Sequence, residues 1–174
     1  MPTSTSRKAQ TVELRAPEKL SDEHILDEFD SGVASINDSL QRQARKAQAA
    51  KQAVVYVVCR KDTPVVMGYY TLSSGSIASE NVVPKSHQRN SPSVHPVTLL
   101  GRMGITLAAQ GQGFAIDLLQ DAIERAITAS ESIGSSAMIV HPLNERLSAF
   151  YAKYAGFVPC PGLSPITLML PLRY

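Results

Sequence analysis

The chain has 174 residues, a formal net charge of +2, 44% hydrophobic residues and 18% charged residues. That length suits one domain with a real core, and so small a charge excludes polyanion binding by overall charge, leaving only local clustering. Two cysteines outside any metal-ligand spacing argue against a disulfide framework or a metal centre, and the polar start MPTSTSRKAQ has no apolar leader segment. The expectation is a cytoplasmic protein without a membrane span.

Residues 1–10 are polar and expected to be flexible, with one domain over 11–174. Val12 to Ala16 alternates as a first strand does. Ser21 is a cap for a short helix to about Phe29. Ala34 to Gln52 reads as a helix, because Ile36, Leu40, Ala44 and Ala47 recur at helical spacing. Arg42, Arg45 and Lys46 share one face of it, which is equally read as a solvated face or a basic patch. The β-branched run Val54–Cys59 predicts a buried strand, Asp62-Thr63-Pro64 a turn, and Val65–Leu72 its hairpin partner. Residues 75–96 are rich in Ser, Pro and Asn and predict a long loop. Val97–Leu107 is a strand interrupted by Gly101 and Gly104, which suggests a bulge or a close backbone approach. Ala115, Leu118, Leu119, Ala122, Ile123 and Ala126 form the apolar stripe of the next helix. Ala137–Val140 is a short strand. Asn144 caps a helix carrying Leu147, Phe150, Tyr151 and Tyr154, which ends at Gly156. Phe157–Pro159 and Ile166–Leu172 complete the set. The order describes a mixed α/β domain of the α+β type.

The chemistry-bearing segment is the strand-to-helix turn Ala109-Gln110-Gly111-Gln112-Gly113-Phe114-Ala115. Glycines admit a ligand close to the backbone, and a helix N-terminus offers unpaired N–H groups with the positive end of the dipole. Together they form a cradle for pyrophosphate. The Gly-Lys-Ser/Thr ending of a Walker A loop and the three-glycine dinucleotide fingerprint are both missing. A bare Gly-x-Gly before a helix is by itself more often a tight turn.

Gln110-x-x-Gly113-x-Ala115 resembles the Gln/Arg-x-x-Gly-x-Gly/Ala signature of the GNAT acetyltransferases. His141 after a strand, the Phe150-Tyr151 helix and the Gly156-Phe157 ending follow the same family order. A narrower resemblance is to the GNAT toxins of bacterial toxin–antitoxin modules. It is carried by Phe29-Asp30-Ser31-Gly32, by Pro96-Val97-Thr98-Leu99-Leu100-Gly101-Arg102, and by Ser164-Pro165 before Ile166–Leu170. The sequence departs from the family in three places: Met103-Gly104-Ile105 follows Arg102, the second helix has no tryptophan, and Ala115 replaces the commoner glycine.

The resemblance implies a single domain with a mixed, mostly antiparallel sheet splayed at the cofactor strand and flanked by helices. It implies acetyl-CoA as co-substrate, bound by Met103, Gly104, Ile105, the loop Gln110, Gly111, Gln112, Gly113, Phe114 and Ala115, and Asn144. Tyr151 would face the thioester sulfur as catalytic donor to the departing thiolate; read from the helix pattern alone, it is a core aromatic. The implied reaction is acetylation of the α-amino group of aminoacyl-tRNA, with Arg42, Arg45, Lys46, Lys51, Lys85 and Arg89 as phosphate contacts. A protein or small-molecule amine is the alternative acceptor, and a non-catalytic binding module the third reading. The implied partners are a ribbon-helix-helix antitoxin, operator DNA only through that complex, and a second copy of the chain. None of His24, His87, His95 and His141 is singled out as a base by a neighbouring carboxylate. That leans towards an α-amine, whose pKa near 8 leaves part of it neutral, over a lysine near 10.4.

Overall fold

The computed structural model describes residues 11–89 and 92–172, so the stretch 1–10 expected to be flexible lies outside the described residues. A seven-stranded sheet runs in the order β1-β2-β3-β4-β5-β7-β6. Its strands are β1 (Glu18–Lys19), β2 (Val54–Cys59), β3 (Val66–Ala78), β4 (Val94–Ile105), β5 (Ala137–Val140), β6 (Val158–Pro159) and β7 (Leu168–Pro171). All neighbours are antiparallel except β4 and β5, which run parallel from Val97↔Ala137 to Leu100↔Val140. A parallel pair needs a crossover, and the helix α3 (Phe114–Ser132) supplies it. The other helices are α1 (Ala34–Asp38) and α2 (Ala44–Ala49), joined by a π-helical turn over Ser39–Gln43, and α4 (Glu145–Ala155).

Strand alternation sorts the core onto two faces. Tyr70, Leu100, Met138 and Val140 pack with Leu118, Leu119, Ala122 and Tyr151 of α3 and α4. On the opposite face, Val55, Val57 and Tyr69 pack with Ile36, Leu40 and Ala44 of the α1–α2 unit. The remainder of that face, around Val97, Ala137, Ile139 and Met169, is closed by Val82, Val83 and Leu163 from connecting segments instead of a helix. The π-helical turn has a local cause: the buried Tyr69 hydroxyl donates to the Ile36 carbonyl at 2.6 Å and competes with the helical ladder there.

Three sequence expectations are corrected. The helix over 21–29 is absent. The Ser21 N–H donates to His24 Nδ1 at 2.9 Å, and the Ile25 and Val66 amides bond to Pro64 and Ile25 carbonyls at 2.8 and 3.0 Å, so the segment is tied to the start of β3. The first strand over 12–16 reduces to a single bridge between Leu14 and Arg60, and regular pairing falls instead at Glu18–Lys19. The loop over 75–96 is shorter, because β3 runs to Ala78 and β4 starts at Val94. The paired Ser74-Gly75-Ser76 stretch is exposed, so it carries no hydrophobic pattern that marks a strand.

Candidate acetyl-transfer site

The site begins where β4 outlasts its parallel neighbour. β5 stops at Val140, opposite Leu100, while β4 continues through Gly101, Arg102, Met103, Gly104 and Ile105. On that side the backbone of this stretch has no strand partner among the described residues, so the sheet splays there. On the other side Tyr70 pairs with Met103 and Leu72 with Leu100, so Gly101 and Arg102 oppose Thr71 in a bulge. The Thr71 hydroxyl fixes it by accepting from the Arg102 N–H at 3.0 Å. Gly104 has a steric duty: a Cβ there would collide with Ile36 of α1 and meet Phe29 Cζ at 3.3 Å.

Beyond β4, the chain enters the turn that opens α3. Gly111 and Gly113 take positive φ of 76° and 84°, and a Cβ at either would meet nothing within 4 Å. Open space over two left-handed glycines is room for a ligand. No side chain caps the α3 N-terminus, so its first amides keep their donors. The glutamine side chains brace this turn from within. Gln110 Nε2 donates to the Ser31 and Ile105 carbonyls at 2.9 and 2.8 Å. Gln112 Oε1 accepts from Val12 N at 3.0 Å. Their part is to hold the backbone donors in place. Phe114 and Ala115 are half-buried against the α3 core.

Sequence reasoning missed a clasp behind this turn. Asp30 N donates to Thr106 Oγ1 at 3.0 Å, that hydroxyl donates to the Asp30 carbonyl at 3.1 Å, and Leu107 N donates to the same carbonyl at 2.7 Å. Asn37 Nδ2 and the Gly32 N–H both donate to Asp30 Oδ1, which holds that carboxyl below its ordinary range, the Gly32 bond counting first. Thus the Phe29–Gly32 segment locks the end of β4 to the start of α1. The bonding polar residues look like ordinary turn residues in sequence, and only their long-range pairing gives them this role.

Tyr151 lies on α4, 6% exposed, with its ring edge-on to Phe150 and Phe157 at centroid distances of 5.4 and 5.7 Å. Burial pushes its phenol up to about 12, so it is a neutral donor at neutral pH. Its hydroxyl has no hydrogen-bond partner among the described residues. Asn144 caps α4, its Oδ1 accepting from Leu147 N at 3.0 Å, and its amide nitrogen has no hydrogen-bond partner among the described residues.

Of the cations, Arg42 is exposed beside Asp38 at 3.6 Å. Arg45 donates to the His24 carbonyl at 2.6 Å and so braces the segment below it. Lys46 and Lys51 are exposed near the end of α2, and Lys85 and Arg89 are exposed on the β3–β4 connection. The two groups flank the same face of the sheet, since α1–α2 and that connection both cover it.

Among the histidines, His24 is structural: its Nδ1 accepts from Ser21 N and its Nε2 donates to Glu18 at 3.1 Å. Glu18, His24 and Cys59 bring donor atoms within 4.8 Å of one another, a grouping their sequence spacing hid. Arg15 already pairs with Glu18 at 2.8 Å there. His95 is buried, with Ser136 Oγ 3.5 Å from its Nδ1. A hollow of about 310 Å³ between residues 14–17 and α3 is lined by Arg15 together with Asp117, Asp121 and Glu124, so its charges are mixed.

No family model matches the chain. A tRNA-acetylating toxin of Mycobacterium tuberculosis (strain ATCC 25618 / H37Rv) is 36% identical over 158 residues, covering 91% of this chain and 92% of that protein. The chain belongs to the GNAT toxins. It is an acetyl-CoA-dependent acetyltransferase of that family. Among solved structures it is similar to AtaT complexed with acetyl-methionyl-tRNAfMet, with a TM-score of 0.84, 31% identity, and coverage of 91% of this chain and 95% of that one. It is also similar to a tyrosine-to-phenylalanine mutant of AtaT bound to the C-terminus of the antitoxin AtaR and acetyl-CoA, with a TM-score of 0.76, 30% identity, and coverage of 91% and 93%. A third is a KacTA–DNA complex, with a TM-score of 0.75, 27% identity, and coverage of 92% and 94%. Among the described residues, no helix of this GNAT toxin is long and apolar enough to cross a membrane.

Proposed function

We propose that this GNAT toxin transfers the acetyl group of acetyl-CoA to the α-amino group of an aminoacyl-tRNA and thereby inhibits translation in the cytoplasm. The observation that carries the reading is the uncapped glycine turn at the splayed end of β4, in a chain 36% identical to a tRNA-acetylating toxin. Acetyl-CoA supplies the activated acyl group. The amides of Gly111 to Ala115 hold its pyrophosphate. The side of the Met103–Ile105 backbone turned away from β3 holds the pantetheine arm and polarises the acyl oxygen, as fixed amides do in an oxyanion hole. Asn144 donates to the same arm. Tyr151 donates its phenolic proton to the departing thiolate, stabilising the charge that grows in the transition state.

Arg42, Lys46, Lys51, Lys85 and Arg89 contact tRNA phosphates from both sides of the acceptor face, and Arg45 mainly positions its neighbours. Such contacts give affinity and salt dependence without sequence reading. A ribbon-helix-helix antitoxin neutralises the enzyme, operator DNA binds through that complex, and two copies of the chain form the active dimer.

Cell-free translation tests the reading. Protein with acetyl-CoA is expected to stop synthesis, and protein without acetyl-CoA to leave it running. Undiminished synthesis in the presence of both would contradict the proposal.

A further inference from the structure

The geometry points to His141 as the base that takes the proton from the acceptor amine. This inference rests on the acetyl-transfer reading above and deepens it by supplying the group that sequence inspection left unassigned.

The argument turns on one hydroxyl. Thr167 is buried, 3% exposed, and its Oγ1 donates to the Pro165 carbonyl at 3.0 Å. A hydroxyl has one hydrogen to give. His141 Nδ1 lies 3.0 Å from the same oxygen, so in this contact the ring nitrogen donates and the oxygen accepts. The neutral ring then carries its proton on Nδ1 and leaves the lone pair on Nε2. Among the described residues no group bonds to Nε2, and His141 is exposed. A ring held in one tautomer by a buried partner, with its basic nitrogen free, is the arrangement a general base needs.

Its position fits the task. His141 follows Val140, the last residue of β5, whose partner on β4 is Leu100, immediately before the splayed stretch. Val140 and Leu168 belong to the face that holds Tyr151, whereas Ile139 and Met169 belong to the opposite face. Alternation carried one residue further puts His141 with Ile139 and Thr167 with Met169, consistent with their contact. The opening in the sheet therefore has Tyr151 on one face and His141 at its rim on the other. A leaving thiolate is served from the first face, and an incoming amine from the second.

The balance of the step is simple. An aminoacyl ammonium has no lone pair until a proton leaves it, and His141 Nε2 takes that proton. The nitrogen lone pair then forms the N–C bond to the acyl carbon as the C–S bond breaks, and the electron pair leaves with sulfur. The second nitrogen proton replaces the one Tyr151 gives to the thiolate. The imidazolium returns its proton to solvent, so the net release is one proton for each amide formed.

The test separates the base from the structural contact. In His141→Asn the amide nitrogen replaces Nδ1 as donor to Thr167 Oγ1, while the basic Nε2 is deleted. Turnover is measured with acetyl-CoA and charged total tRNA, alongside acetyl-CoA affinity and Tm. Turnover is expected to fall on the order of 10²-fold or more, with affinity and Tm unchanged. Added imidazole should restore part of the rate to His141→Asn and none to Tyr151→Phe. Thr167→Val, which frees the tautomer, should cost severalfold. A His141→Asn protein with full turnover per folded molecule, or a loss of turnover that imidazole does not relieve, would overturn the inference. Wild-type protein that binds acetyl-CoA and acetylates no charged tRNA would instead contradict the functional reading itself.

Discussion

Two tyrosines on opposite faces of the sheet use burial in different ways. Tyr69 spends its hydroxyl on the Ile36 carbonyl, whereas the Tyr151 hydroxyl has no partner among the described residues. Tyr151→Phe removes one oxygen and keeps the ring against Phe150 and Phe157. Turnover is expected to fall on the order of 10²-fold or more while calorimetric affinity for acetyl-CoA stays the same. Loss of Tm with retained turnover would make it a packing residue. At this scale the sequence shows which side chains exist, and the helix pattern already places Tyr151 on an apolar stripe. It does not show which proton sits on His141, because that depends on Thr167, 26 residues away.

At the scale of elements, the glycine turn and α3 act as one unit. Gly113→Asp adds a side chain where φ is 84° and a negative charge beside the uncapped N-terminus of α3. Acetyl-CoA binding is expected to be lost in calorimetry, with the sheet intact by circular dichroism; unchanged affinity would place the cofactor elsewhere. Gly104 tests the neighbouring contact. Gly104→Ala drives a methyl into Ile36, and overpacking of this kind costs about 1–3 kcal/mol. Tm is expected to drop, and acetyl-CoA affinity to weaken with it, because α1 and the open edge of β4 share this contact. α3 and α4 were legible because long helices keep a 3.6-residue pattern, and α4 also carries its own start and stop signals, Asn144 and Gly156. The segment 21–29 was not. Leu20, Leu26 and Phe29 are buried by long-range packing, and the Ser21 signal that reads as a cap serves a turn to His24.

For the whole molecule, the buried phenols make stability depend on alkaline pH. Burial raises both Tyr69 and Tyr151 to about 12, above the ordinary value near 10. The unfolded chain therefore loses these protons first. Their contribution is complete below about pH 10 and disappears as pH rises from 10 towards 12. Urea unfolding at pH 9 and pH 11 should show this loss, and Tyr69→Phe should flatten the slope relative to wild type. An unchanged slope would mean that Tyr69 is not held in its buried contact with Ile36.

The central claim concerns the acceptor, and it is tested most directly by incubating the protein with acetyl-CoA and charged total tRNA. The tRNA is then digested, and the released aminoacyl-adenosines are weighed by mass spectrometry. The account expects one acetyl group on the α-nitrogen of one or a few aminoacyl species. Acetyl-CoA bound by the protein with every aminoacyl species left unmodified would contradict it.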